Sequence, residues 1–171
     1  MILCGLYARL IYLSRAPLSR IAESAECTEL LRNAKAPSRE IYRVLHDREL
    51  TGLRSAYPQA PSAVQALVGR REHRHEVKGG SMRLWSAALP GGTICRVEEG
   101  PGAGLHVVSP ELYLFLRAAE LSRWELVLLA MEFWGRFDSR DDRESGDEAR
   151  PYPLASQNSV ERVMLAIEGR V

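Results

Sequence analysis

Lysine is nearly missing from this chain: of its 23 basic residues, only Lys35 and Lys78 are lysine. Cysteine is scarce as well. The three present, Cys4, Cys27 and Cys95, are an odd number, lie far apart and fit no metal-ligand spacing. They cannot form a fully paired disulfide framework, so reduced thiols in a cytoplasmic protein are expected. No apolar run approaches the roughly 18 residues of a membrane span, and no membrane contact is expected. The apolar start at Met1–Leu6 is soon interrupted by Arg9 and Arg15. It has no basic region ahead of it and no small-residue cleavage site, so it does not read as a signal peptide. Also lacking are a P-loop, a glycine fingerprint after a strand, a zinc-protease helix motif and a nucleophile elbow. No cofactor is expected, and no internal repeat of solenoid or propeller length is visible.

What is present suits one ordinary globular domain. With 171 residues, 46% hydrophobic and 26% charged, the chain can bury roughly two-thirds of its unfolded surface. That composition excludes collagen-like, mucin-like and globally disordered classes. Net charge is +1, but residues 1–80 carry +5 and residues 81–171 carry −4. The basic half could face phosphate or pair with the acidic half of its own fold.

The pattern predicts an α+β fold. Residues 1–13 are a buried strand or an amphipathic helix, and Pro17 marks a break. A helix is expected over 19–35 and another over 38–50, the second with Ser38 as N-cap and Ile41, Val44 and Leu45 as its buried stripe. Short strands at 63–68, 82–88, 93–97 and 105–108, separated by turns at Pro90-Gly91-Gly92 and 98–104, suggest antiparallel pairing between about 63 and 108. Ser109-Pro110-Glu111 reads as a helix start, with Glu111 at an exposed position complementing the dipole. Ser122-Arg123-Trp124-Glu125 reads as a capping box for a further helix, with Leu126, Leu129, Ala130 and Phe133 inward. Tyr113, Trp124, Phe133 and Trp134 are core or partner interface. The expected organisation is an α+β domain over 1–137, a charged loop or linker over 138–157, and a helix over 158–171 that could open a further domain.

Three constellations could carry chemistry. His73-Arg74-His75 has the spacing that puts two imidazoles on one strand face, but a metal site needs a third ligand and the adjacent arginines repel a dication; no metal is expected. Glu76-Val77-Lys78 has the E-x-K spacing with which alternate strand residues of PD-(D/E)xK nucleases hold a metal and stabilise a charged transition state. That reading makes Glu76 and Lys78 catalytic and also needs an Asp at a strand end. The nearest, Asp47, sits in the expected helix 38–50. Arg39, Arg43 and Arg48 share that same expected helix, and a helix-turn-helix built from 19–35 and 38–50 would offer them to DNA.

Leu84-Trp85, Leu89-Pro90-Gly91-Gly92, Leu105-His106-Val107-Val108-Ser109-Pro110-Glu111, Leu121-Ser122, Glu125-Leu126-Val127 and Glu132-Phe133-Trp134-Gly135-Arg136-Phe137 form one recognisable series. Over roughly 84–137 the chain resembles uncharacterised bacterial proteins similar to AbiEi-type antitoxins and to the N-terminal region of very-short-patch-repair-like endonuclease-domain proteins. The helix ending of those proteins matches at Glu132 and Gly135, with Trp134 in place of a cysteine and Phe137 in place of a tyrosine. The nuclease domain of longer relatives lies downstream of this region, so the resemblance carries over no catalytic residue. It implies a non-catalytic regulatory or scaffolding domain of a bacterial defence or toxin–antitoxin-related protein, with a separate nuclease or toxin chain as a partner. The alternatives are a DNA-binding repressor or antitoxin using Arg39, Arg43 and Arg48, and a metal-dependent nuclease using Glu76 and Lys78.

Overall fold

The computed structural model describes residues 1–57, 62–75, 77–133 and 155–168. Its contacts divide the chain into two compact units, Met1–Ser109 and Pro110–Val171; the sequence pattern instead ends the first domain at residue 137 and sets apart 138–157 and 158–171. The α+β class is what the chain adopts.

The first unit is built on a six-stranded sheet. Its strands are β1 (Ile2–Leu3), β2 (Leu18–Arg20), β3 (Val64–Val68), β4 (Gly80–Leu84), β5 (Ile94–Val97) and β6 (His106–Val108), in the spatial order β2-β5-β6-β1-β3-β4. Residues 1–13 resolve into both expected alternatives: the short strand β1, then the helix α1 (Leu6–Leu13). β1 lies in the middle of the sheet, parallel to β6 (Leu3 opposite Val107) and antiparallel to β3 (Leu3 opposite Ala66). α1 buries Tyr7, Ala8, Leu10, Ile11 and Tyr12, and the Tyr12 hydroxyl donates to the Val108 carbonyl, tying the helix to the end of β6.

β3, β5 and β6 lie where strands are expected, whereas β4 starts at Gly80 and ends at Leu84 instead of covering 82–88; the pairing is mixed rather than antiparallel throughout. β5 pairs antiparallel with β6 and with β2, while β3 and β4 are parallel, with Val64 opposite Gly80 and Val68 opposite Leu84. Residues 69–79 are long enough to carry the chain back to the start of the sheet, and a crossover of that kind makes neighbouring strands parallel. Pro90-Gly91-Gly92 is not a hairpin turn, since β4 and β5 stand at opposite sides of the sheet. It docks on the start of α2 (Ser24–Asn33). Gly92 N donates to the Ile21 carbonyl at 2.7 Å and Gly91 N to Ser24 Oγ at 2.8 Å. A Cβ at Gly91 would stand 1.9 Å from the Ala22 carbonyl oxygen, so the approach admits only glycine.

Two expected helices are shorter than their apolar patterns. The span 19–35 begins as strand β2, held by β5, and only Ser24–Asn33 is helical. The span 38–50 is two helices, α3 (Ser38–Leu45) and α4 (Arg48–Arg54), because Asp47 caps the second. Ile41 and Val44 of α3 are buried as the stripe predicts, whereas Leu45 is half-buried. All three cysteines are buried thiols.

The second unit is three helices: α5 (Pro110–Ala118), α6 (Arg123–Phe133) and α7 (Gln157–Ile167). α5 packs against both others. Glu111 is 1% exposed rather than exposed as expected, because α5 is buried around most of its circumference through Pro110, Leu112, Tyr113, Leu114 and Leu116. The box at the head of α6 forms as expected: Glu125 N donates to Ser122 Oγ, and the Glu125 carboxylate takes the Ser122 amide at 2.8 Å. The Ser122 hydroxyl also donates to that carboxylate at 2.7 Å, and this bond, followed by the one from the Ser122 amide, holds the Glu125 carboxyl below its ordinary range. α7 has its own box between Ser156 and Ser159. Tyr113 and Phe133 stack at 5.6 Å. Trp124 is 77% exposed, with Leu128 and Val127 at 60% and 40% on the same outer side of α6; Trp134 and the charged stretch 138–150 lie outside the described residues. No helix among the described residues is long and apolar enough to cross a membrane.

Candidate nucleic-acid interface

α3 is eight residues long and presses Ile41 and Val44 into the first unit. The 3.6-residue period then turns Arg39, Tyr42, Arg43 and His46 outward, and all four are exposed. They stand at i, i+3, i+4 and i+7, so they form two adjoining ridges. One is cationic, Arg39 and Arg43; the other is aromatic, Tyr42 and His46. Side chains at such spacings have Cβ atoms about 5–6 Å apart. The Tyr42 and His46 rings pack at 4.0 Å between centroids, tilted by 40°, and Tyr42 remains 64% exposed.

The acidic side chains beside these arginines are engaged elsewhere. Glu40 pairs with the Met1 ammonium at 3.3 Å. Asp47 Oδ1 accepts the Glu49 and Leu50 amides, each at 3.1 Å. Arg39 and Arg43 therefore have no carboxylate partner among the described residues. Arg43 Nη2 reaches the Ala103 carbonyl at 3.5 Å, and beside this contact lies a cavity of about 200 Å³ lined by Arg43, Val44, Asp47, Gly100, Gly102 and Ala103. Gly100, Gly102 and Gly104 all have positive φ (76°, 76° and 78°). This connection between β5 and β6 is a hairpin turn, as expected, and it walls one side of α3.

His106 lies on β6, opposite Ile2 and Arg96. Its imidazole is held below the ordinary value of 6.5, first by burial and then by the Met1 ammonium and Arg96, with Glu26 and Glu40 opposing.

Arg48, expected on one helix with Arg39 and Arg43, starts α4 instead, beyond the Asp47 cap; it is exposed. Of Glu76 and Lys78, only Lys78 falls among the described residues. Lys78 is exposed in the turn before β4 rather than on a strand, Asp47 is a helix cap rather than a strand end, and Glu76 lies outside the described residues. The His73-Arg74-His75 spacing does not place two imidazoles on a strand face either, since Arg71–His73 is a 3-10 turn. No group of three or more His, Cys, Asp or Glu side chains comes together in metal-holding geometry among the described residues. Sequence reasoning named the arginines of α3 but missed Tyr42 and His46. Their signal was available: with Ile41 and Val44 inward, the period puts Tyr42 beside Arg39 and Arg43.

No family model, no curated protein and no solved structure matches this chain.

Proposed function

We propose that this chain is a non-catalytic regulatory module that binds nucleic acid through α3. One observation carries the reading: Arg39 and Arg43 stand one turn apart on an exposed face, with Glu40 paired to the Met1 ammonium and Asp47 Oδ1 capping α4. Arginines so placed meet phosphates without first breaking an ion pair, and phosphate contacts supply most of the sequence-independent affinity for nucleic acid. Arg48, exposed at the head of α4, is the third candidate contact. A repressor or antitoxin role in a bacterial defence or toxin–antitoxin setting is in keeping with the resemblance carried by residues 84–137, and a separate nuclease or toxin chain is then its protein partner.

The test is fluorescence anisotropy of the full chain with labelled oligonucleotides at low salt. Saturable binding that weakens as salt rises supports the reading, and no binding of any nucleic acid removes it. A second reading, scaffolding of a protein partner, is favoured by the exposed Trp124, Val127 and Leu128 of α6, since apolar surface of that kind often marks an interaction site. Exchanging Arg39 and Arg43 for alanine separates the two: it abolishes function under the first and leaves it intact under the second.

A further inference from the structure

We infer that α3 takes a single-stranded nucleic acid, gripping its phosphates with Arg39 and Arg43 and stacking an unpaired base on Tyr42. The inference rests on the reading of α3 as a nucleic-acid contact and adds the substrate class. Phosphate binding alone accounts for the arginines, but it gives no role to an exposed tyrosine. The Tyr42 ring is 64% exposed and backed on one side by His46 at 4.0 Å. A ring held that way offers its other face at low conformational cost, and every base has a face to lay on it. The cationic and aromatic ridges run side by side along one helix, so phosphate and base of the same strand are met together.

The surroundings favour a strand over a duplex. A helix that reads duplex DNA enters the major groove and must stand clear of its neighbours. α3 does not: the turn containing Gly100, Gly102 and Gly104 rises beside Arg43, whose guanidinium reaches the Ala103 carbonyl. What remains between helix and turn is a cavity of about 200 Å³, a recess for a strand's backbone and not a ridge for a groove. The charged groups facing this surface are Arg39 and Arg43 of α3 and Asp47 at the head of α4. Asp47 directs its carboxylate to the Glu49 and Leu50 amides.

The experiment is an anisotropy titration of the full chain with one mixed sequence in four forms: single-stranded DNA, single-stranded RNA, duplex DNA, and the DNA strand with abasic sites. The single strands should bind more tightly than the duplex, and DNA against RNA identifies the preferred sugar. Removing the bases, or making Tyr42→Ala, should each weaken single-strand binding by roughly five- to a hundred-fold. Tyr42→Phe should keep the affinity, because it keeps the ring. The abasic arm needs no variant and so does not depend on how the protein tolerates mutation. Equal binding of duplex and strand, or indifference to both base removal and Tyr42→Ala, overturns the stacking inference and leaves the nucleic-acid reading standing. No binding in any form removes both.

Discussion

Asp47 Oδ1 accepts the Leu50 amide at 3.1 Å, and the same oxygen takes the Glu49 amide. This one carboxylate ends what would otherwise be a single helix and restarts it as α4, which sets Arg48 apart from Arg39 and Arg43. Asp47→Ala should cost about 0.5–2 kcal/mol, the usual range for losing an N-cap, while Asp47→Asn, which keeps the acceptor, should cost far less. Urea unfolding of both variants checks this; an unchanged midpoint for Asp47→Ala would mean the cap is idle.

The half-buried His106 sets an acid-side limit. Its folded-state pKa lies below the ordinary 6.5 because burial, the Met1 ammonium and Arg96 disfavour the imidazolium. As pH falls through 6.5, the unfolded chain takes up a proton that the folded chain resists. Stability is therefore full above that pH and declines below it until the folded imidazole also titrates. His106→Gln should flatten this part of the stability curve, measured by thermal melts between neutral and mildly acidic pH. A slope unaltered by the substitution would assign the acid sensitivity to other groups.

α6 presents two aromatic side chains with opposite expectations. Phe133 is fully buried and stacked on Tyr113, so Phe133→Ala should cost about 3–5 kcal/mol. Trp124 is mostly exposed, so Trp124→Ala should stay within about 0.5 kcal/mol. Denaturant midpoints for the two variants give the comparison, and a large loss at Trp124 would show that its ring is covered in solution.

Local signals in the sequence were legible where a short-range rule decides the outcome. The Ser122–Glu125 box, the strand β3 and the stripe of Ile41 and Val44 follow from neighbours a few residues away. Pairing partners did not follow. β1 is two residues long and gains its strand character only from β3 and β6, whose residues lie far along the chain. The parallel β3–β4 pair depends on how residues 69–79 return across the sheet, which turn signals do not encode. Ser19 and Arg20 fell inside a helical pattern because no local feature records that β5 holds them. At the candidate interface the arginines were legible from charge. The occupation of Glu40 by Met1, nearly forty residues away, was not, and that pairing is what leaves Arg39 and Arg43 without an acidic partner.

The central claim, that α3 meets phosphates through Arg39 and Arg43, is tested most directly by the salt dependence of single-strand binding. Each neutralised phosphate of a single strand contributes about 0.7 to the slope of log Kobs against log salt. Replacing both arginines with alanine should lower that slope by about 1.4 while the melting temperature stays where it was, since both side chains are exposed. Parallel salt plots for the wild-type chain and the double variant would contradict the account.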